Sequence, residues 1–297
     1  MPDVATLLLD CAFPPAGSVV DVAVSGGADS VGLALLVHAA ELRATVHHVN
    51  HHTRPTSDRD EEAARAVAES LSFPFVSYDV TVPSGGNFEA LARAERRAVL
   101  PRGVLTGHTM DDLAETMLIN LLRGTGLDGL SPMLGDPTKP LVRLRRSDLR
   151  HMVIEAGAHF VDDESNTDEK YLRNQIRATT LPLLNDTARR DLVPLLARLA
   201  HVAGEDRAYL DELAAPLRKM PIDEVSCRDL QTWPPALLRR WLRFHLRSAD
   251  AGDGEHPPSA DEIDRALAVV HGDIVATQLS GGRRLQRRDQ HLSLIWE

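Results

Sequence analysis

The feature that most constrains this chain is an apolar run, Val19 to Val24 broken only by Asp21, leading straight into Ser25-Gly26-Gly27-Ala28-Asp29-Ser30 and then Val31-Gly32-Leu33-Ala34-Leu35-Leu36. The run predicts a strand, the glycines a tight turn, and the segment beyond them a helix. That order aims backbone N–H groups and the positive end of a helix dipole at whatever lies over the turn, which suits an anionic phosphate. Glycine lets the phosphate approach the backbone closely. Ser25 and Ser30 add hydroxyls, and Asp29 adds a carboxylate able to hold Mg²⁺. The same residues also suit an ordinary turn with Asp29 as helix cap. The turn lacks the lysine of GxxxxGK[ST] and the spacing of GxGxxG, so it is neither a Walker loop nor a dinucleotide fingerprint.

The alternation continues. Ala44 to Asn50 predicts a second strand, Ser57 to about Ser72 a helix, Phe73 to Val82 a strand, Asn87 to Leu100 a helix, Gly103 to His108 a short strand and Met110 to Arg123 a helix. The fold class is therefore α/β, a doubly wound parallel sheet whose ligand site lies at the carboxyl ends of the strands. The first turn, His48 to Asn50 and His108 all fall at such ends. Thr125 to Pro140 is a Gly/Pro/Asp-rich loop, Ser147 caps a helix over Asp148 to Ala156, and a polar stretch, Asp162 to Asp168, precedes another helix from about Glu169.

Beyond Pro182 the pattern turns helical, with Leu192, Leu195, Leu196, Leu199 and Val202 at helical spacing. Gly252 to Pro258 is a break, Asp261 to His271 a helix, and Ile274 onward a terminal β-hairpin turning at Ser280-Gly281-Gly282. At 297 residues the chain suits two domains, expected at 1–184 and 185–297.

Cys11 and Cys227 are isolated, so neither a disulfide framework nor a CxxC metal or cluster site is written here, as suits a reducing cytoplasmic setting. The apolar stretch Leu7 to Leu9 is closed by Asp3 and Asp10, which excludes a signal peptide or membrane span there. A formal net charge of -10 does not invite a polyanion, yet the basic residues are bunched. The clusters are Lys139, Arg143, Arg145, Arg146 and Arg150; Arg173 and Arg177; Arg239, Arg240, Arg243 and Arg247; and Arg283, Arg284, Arg287 and Arg288. Local patches set the field that a nucleic acid meets, and solvated faces are the alternative reading.

A second loaded segment is Gly107-His108-Thr109-Met110-Asp111-Asp112-Leu113-Ala114-Glu115-Thr116. On a helix, His108, Asp112 and Glu115 share one face at the mouth of the sheet. The carboxylates suit Mg²⁺ beside phosphate oxygens, and His108 suits a phosphate contact or a proton shuttle. Acidic residues also gather at helix N-termini for dipole reasons alone.

The set SGGADS, His48-Val49-Asn50, GHTMDDLAET and Arg123-Gly124-Thr125-Gly126 resembles the PP-loop ATP pyrophosphatase superfamily, an adenine nucleotide alpha hydrolase-like fold. Within it, Lys139-Pro140-Leu141, Asp162-Asp163-Glu164-Ser165-Asn166, Arg173-Asn174-Gln175-Ile176-Arg177 and Leu181-Pro182-Leu183-Leu184 resemble the tRNA(Ile)-lysidine synthetase family in its short form. The resemblance covers most of residues 19 to 184. It implies an enzyme using ATP and Mg²⁺ to adenylate the C2 oxygen of the wobble cytidine in a CAU-anticodon tRNA(Ile). L-lysine then displaces AMP, and the helical second domain binds tRNA.

Carried over, Ser25, Gly26, Gly27, Ala28, Asp29, Ser30 and Arg123 would hold the nucleotide. Asp29, His108, Asp112 and Glu115 would serve the chemistry, with Asp29, Asp112 and Glu115 on the metal and Arg173 and Arg177 on ATP phosphates or RNA. A homodimer is left open. His52 and Thr53 stand where the family commonly has Gly and Leu, and Arg97 where it has Tyr. Rival readings are a PP-loop tRNA thiolase, which needs paired cysteines, a small-molecule PP-loop ligase, and a nucleotide-binding regulator that does no chemistry.

Overall fold

The computed structural model describes residues 3–50, 57–80, 95–161, 172–250, 254–256 and 258–296, which form two compact units. The first unit comprises Met1–Arg123 and Ser131–His201, the second Gly124–Leu130 and Val202–Glu297. The expected boundary after residue 184 falls inside the helix Leu181–Ala188.

In the first unit, helix α1 (Val4–Leu9) precedes β1 (Val19–Ala23), α2 (Ala28–Ala39), β2 (Arg43–Asn50), α3 (Ser57–Ser70) and β3 (Phe75–Asp79). The strands are parallel, with Val22 opposite Val46 and Val46 opposite Phe75. The fourth strand expected at Gly103 to His108 is reduced to one parallel bridge, Leu105 to Val22. Its two hydrogen bonds, Ala23 N–H to Leu105 O at 2.9 Å and Leu105 N–H to Asp21 O at 2.8 Å, end the pairing. Gly103 before it has φ +81° and Gly107 after it is pressed against α2, which leaves little extended backbone between them.

Val22 thus has β2 on one side and Leu105 on the other. The chain reverses its winding direction between them, and the crevice at the carboxyl end of such a switch point is where doubly wound sheets take ligands. Val22, Val31, Leu33, Leu36 and Val46 are fully buried in the core built around this sheet.

Two later helices bring side chains to the crevice, α4 (Met110–Leu122) and, after the short α5 (Leu127–Leu130) of the second unit, α6 (Arg146–Glu155). Helix α6 packs on α2 at Gly32, where an added Cβ would sit 3.3 Å from both Leu149 and Val153. The expected cap Ser147 lies one turn position inside the helix, and Arg145 is the N-cap. The expected helix ending at Leu100 is seen only as its last residues, 95–99. Its start, His51 to Arg54 and the stretch Asp162 to Asp168 lie outside the described residues.

The rest of the first unit is helical. Helix α7 (Leu172–Gln175) runs into a π-helical turn, Ile176–Thr180, then α8 (Leu181–Ala188), and α9 (Val193–Ala214) continues into the second unit.

The second unit then holds α10 (Cys227–Leu230), α11 (Pro235–His245), a short hairpin β4 (Ser248–Asp250) and β5 (Gly254–His256), α12 (Ala260–His271), and strands β6 (Ala276–Leu279), β7 (Arg283–Arg288) and β8 (His291–Trp296). The expected terminal hairpin is a three-stranded antiparallel sheet, because Asp289 and Gln290 both take positive φ and fold the chain back once more. That turn carries no glycine, so its signal in the sequence is weak. Trp241, Leu242, Ile263 and Leu285 anchor the core of this unit. Among the described residues no helix is long and apolar enough to cross a membrane.

Candidate active site

The first turn is held open by its own hydroxyls. Ser30 is buried; its Oγ accepts the Ser25 N–H at 3.1 Å and donates to Gly27 O at 2.9 Å, so it fastens the loop rather than facing a ligand. Ser25 is exposed. Gly26 has φ +91°, and a Cβ there would lie 2.5 Å from Asp60 O, so only glycine fits. Gly27 is the N-cap of α2 and gives no side-chain cap, which leaves the helix start to an external acceptor. Beneath the loop, buried His48 donates Nδ1–H to Val24 O at 2.8 Å, and burial holds its pKa below the usual imidazole value.

Asp29 is not the cap. It is the second residue of α2, and its Oδ2 accepts Arg146 Nε–H at 3.0 Å. Its Oδ1 is buried with no hydrogen-bond partner. Burial, opposed by Arg146 and reinforced by Asp112, pushes this carboxyl up to about 6.

Across the crevice, Thr109 caps α4 and forms a capping box with Asp112, whose Oδ2 accepts Thr109 N–H at 2.8 Å and Thr109 Oγ1–H at 2.9 Å. His108 therefore precedes the helix instead of sharing its face. His108 Nδ1 lies 2.8 Å from Thr106 Oγ1, which is also 3.1 Å from Thr138 O, so the imidazole is tied to the segment that leads into α4.

The other Asp112 oxygen, Oδ1, accepts Arg146 Nη2–H at 2.8 Å, and Arg146 Nη1–H reaches Glu115 Oε1 at 3.0 Å. Burial works against the charge of Asp112, but Arg146 and the Thr109 N–H outweigh it and hold the carboxyl below its usual range. Glu115 is only 1% exposed and is also gripped by Arg173 Nε at 3.1 Å and by Arg177 Nε and Nη2 at 2.7 and 3.1 Å. The two arginines are four apart, and the π turn that begins between them widens the helix so that both guanidinium groups meet one carboxylate.

The fold thus brings together Asp29, Asp112, Glu115, Arg173 and Arg177, with both arginines turned onto Glu115. Arg123 stands apart at the C-cap of α4, about 12 Å along the helix from Glu115. The three carboxylates expected to share a metal meet instead on Arg146. Among the described residues no three Asp, Glu, His or Cys side chains are grouped to hold a metal ion. The orphaned Oδ1 of Asp29 nonetheless fits a cation near the loop.

In the sequence Arg146 stands only as part of a basic patch. Its signal is that Arg145 and Arg146 open a helix, where the dipole disfavours cations. Asp111 compensates, accepting Arg146 N–H at 2.8 Å and Arg145 Nη2 and Nε at 3.2 Å each.

The basic patches of the second unit are largely spent on structure. Arg239, Arg240 and Arg243 pair with Asp264, Asp211 and Asp128 at 2.7, 2.8 and 2.8 Å. Arg283 is buried and donates to the carbonyls of Ser280, Leu246 and Arg247.

Switch-point crevice, glycine turn and acidic helix start define a nucleotide-using α/β protein of the PP-loop class, and the profile described as PP-loop domain matches residues 4–184. The chain is 36% identical over 283 residues to the tRNA(Ile)-lysidine synthase of Nocardia farcinica, covering 91% of this chain and 86% of that one. It is 38% identical to that of Mycobacterium leprae, covering 90% and 87%. The same percentage holds for that of Thermus thermophilus, covering 75% of this chain and 47% of the longer relative. The chain belongs to the tRNA(Ile)-lysidine synthase family. Among solved structures, a U34-tRNA thiolase from Methanococcus maripaludis shares the fold at TM-score 0.55 and 14% identity, over 68% of this chain and 77% of that one.

Proposed function

We propose that the protein is a carbon–nitrogen bond-forming ligase that joins lysine to C2 of the wobble cytidine in CAU-anticodon tRNA(Ile), cleaving ATP to AMP and pyrophosphate. The observation that carries the reading is the meeting of Asp29, Asp112 and Glu115 with Arg146, Arg173 and Arg177 beside an uncapped helix start. Membership of the family supplies the substrate class.

In this reading the exposed Ser25 hydroxyl and the start of α2 bind the pyrophosphate that leaves from ATP. Asp29, with its free Oδ1, and Asp112 hold Mg²⁺, which when bound offsets charge developing on the phosphate oxygens. Glu115 is enclosed by guanidinium groups, and its part is to orient Arg173 and Arg177 toward phosphate. The C2 oxygen of cytidine is a poor leaving group until adenylated. Lysine must then attack as the neutral amine; His108, just before the acidic helix start, accepts its proton, and Asp112 is the anion that draws the ammonium in. Paired cysteines, which sulfur transfer would use, are absent from the sequence, whose two cysteines are Cys11 and Cys227.

The test is incubation with ATP, Mg²⁺, radiolabelled lysine and a CAU-anticodon tRNA(Ile) transcript. Label in the RNA with matching AMP release is expected. ATP binding without either product would instead favour a regulator that does no chemistry.

A further inference from the structure

Arg146 is held at an electrostatically unfavourable place. Its backbone N–H is fixed by Asp111, and each of its three donor nitrogens goes to a different carboxylate on two other helices, Asp29 on α2 and Asp112 and Glu115 on α4. Burial works against the guanidinium charge, yet Asp112, Glu115 and Asp29 hold it more firmly protonated than in water. Asp29 and Asp112, two carboxylates that converge on one point, are also what a hydrated divalent ion beside nucleotide phosphates uses.

The dimensions agree with a hydrated ion better than with a bare one. Water-mediated Mg²⁺ stands about 4 Å from each carboxylate oxygen, from Mg–O of about 2.1 Å and O–H···O of about 2.7 Å that are not collinear. A guanidinium carbon stands at about the same distance from the oxygens its nitrogens contact. One oxygen here, Asp29 Oδ1, receives no donor from Arg146. A hydrated ion, with more donors than the planar fork, can reach it.

We propose that Arg146 occupies, in the nucleotide-free protein, the seat that hydrated Mg²⁺ takes once ATP arrives, and that its guanidinium then moves onto the phosphates. This rests on the ATP-using reading above. The guanidinium and a hydrated ion cannot occupy the same point between Asp29 and Asp112, so Mg²⁺ alone meets a filled seat. The metal–nucleotide complex brings an anion that gives Arg146 a new partner, and metal and nucleotide bind with positive linkage. Arg146 is a positioning residue in the free protein and a phosphate ligand in the complex.

Mn²⁺ binding, read by electron paramagnetic resonance of the free ion, tests this without any turnover. In the wild-type protein a non-hydrolysable ATP analogue, after correction for metal held by the analogue in solution, is expected to tighten Mn²⁺ by about tenfold or more. In Arg146→Met the nucleotide-free affinity is expected to rise by about tenfold and the linkage to shrink. Unchanged or weaker nucleotide-free binding in a folded Arg146→Met protein overturns the proposal. So does equal wild-type affinity with and without the analogue, a measurement that stands even if the variant does not fold. Failure to incorporate lysine leaves this linkage intact, so the two readings fail separately.

Discussion

Gly107 offers the sharpest test of how the crevice is built. A Cβ on residue 107 would lie 2.7 Å from Asp29 O, 2.9 Å from Asp29 C and 3.1 Å from Ser30 N, all backbone atoms of the first turn of α2. Ordinary contact needs about 3.4 Å or more, so in Gly107→Ala the two segments must part by about 0.5–1 Å. Overpacking of this kind costs about 1–3 kcal/mol, which in a domain of this size lowers Tm by about 2–12 °C. The functional loss should be larger in proportion. Asp29 moves with its backbone away from Arg146, and misplacement near 1 Å costs about a hundredfold in rate.

Gly103→Ala is the control. It meets nothing within 4 Å and only forces alanine to φ +81°, at a cost of about 1–2 kcal/mol. Both variants should therefore melt early, while only Gly107→Ala loses ATP-dependent lysine transfer by about tenfold to a hundredfold in kcat/KM. Equal activity in the two variants, measured on folded protein, would refute the claim that this backbone contact sets the position of Asp29.

Glu262 in the second unit caps α12 by accepting Ser259 N–H at 2.8 Å and takes Ser280 N–H as well, and although burial opposes its charge these bonds hold its carboxyl down to about 2. Because the folded pKa is depressed, its stabilisation is present above about pH 4.5 and is lost as pH falls toward 2; Glu262→Gln should cost about 2–3 kcal/mol at pH 7 and flatten that part of the denaturant-measured pH profile. Trp241 is fully buried against Trp233 and His245, and Trp241→Ala should cost about 3–5 kcal/mol in chemical denaturation. Asp128→Asn frees Arg243 from its 2.8 Å pair, so tRNA binding should tighten and its salt slope steepen by about one unit, as read by filter binding across ionic strengths.

Much of this was legible because the strongest signals were local. Strand β2, helix α3 and helix α4 fell within a residue or two of their expected bounds, since β-branched runs and caps act over short distances. The short bridge at Leu105 was overread because the limit on its length comes from a distant contact, Gly107 against α2. The same limit hid Arg146. Its three partners lie 31 to 117 residues away, so the sequence showed a basic patch where the fold makes an ion cluster. The tRNA-facing reading of Arg239, Arg240 and Arg243 omitted acidic partners that approach from other segments.

The arginine cluster also bears on how fast a nucleotide is captured. Among the described residues, Arg145, Arg146, Arg173 and Arg177 stand against Asp29, Asp111, Asp112, Glu115 and Asp191, so each arginine is matched by carboxylate at close range. Balanced charges cancel within a few ångströms and project little field into solvent, so an approaching triphosphate is not drawn in from afar. Its association rate should depend only weakly on ionic strength, and the cluster's electrostatic energy becomes available only after contact, when partners are exchanged.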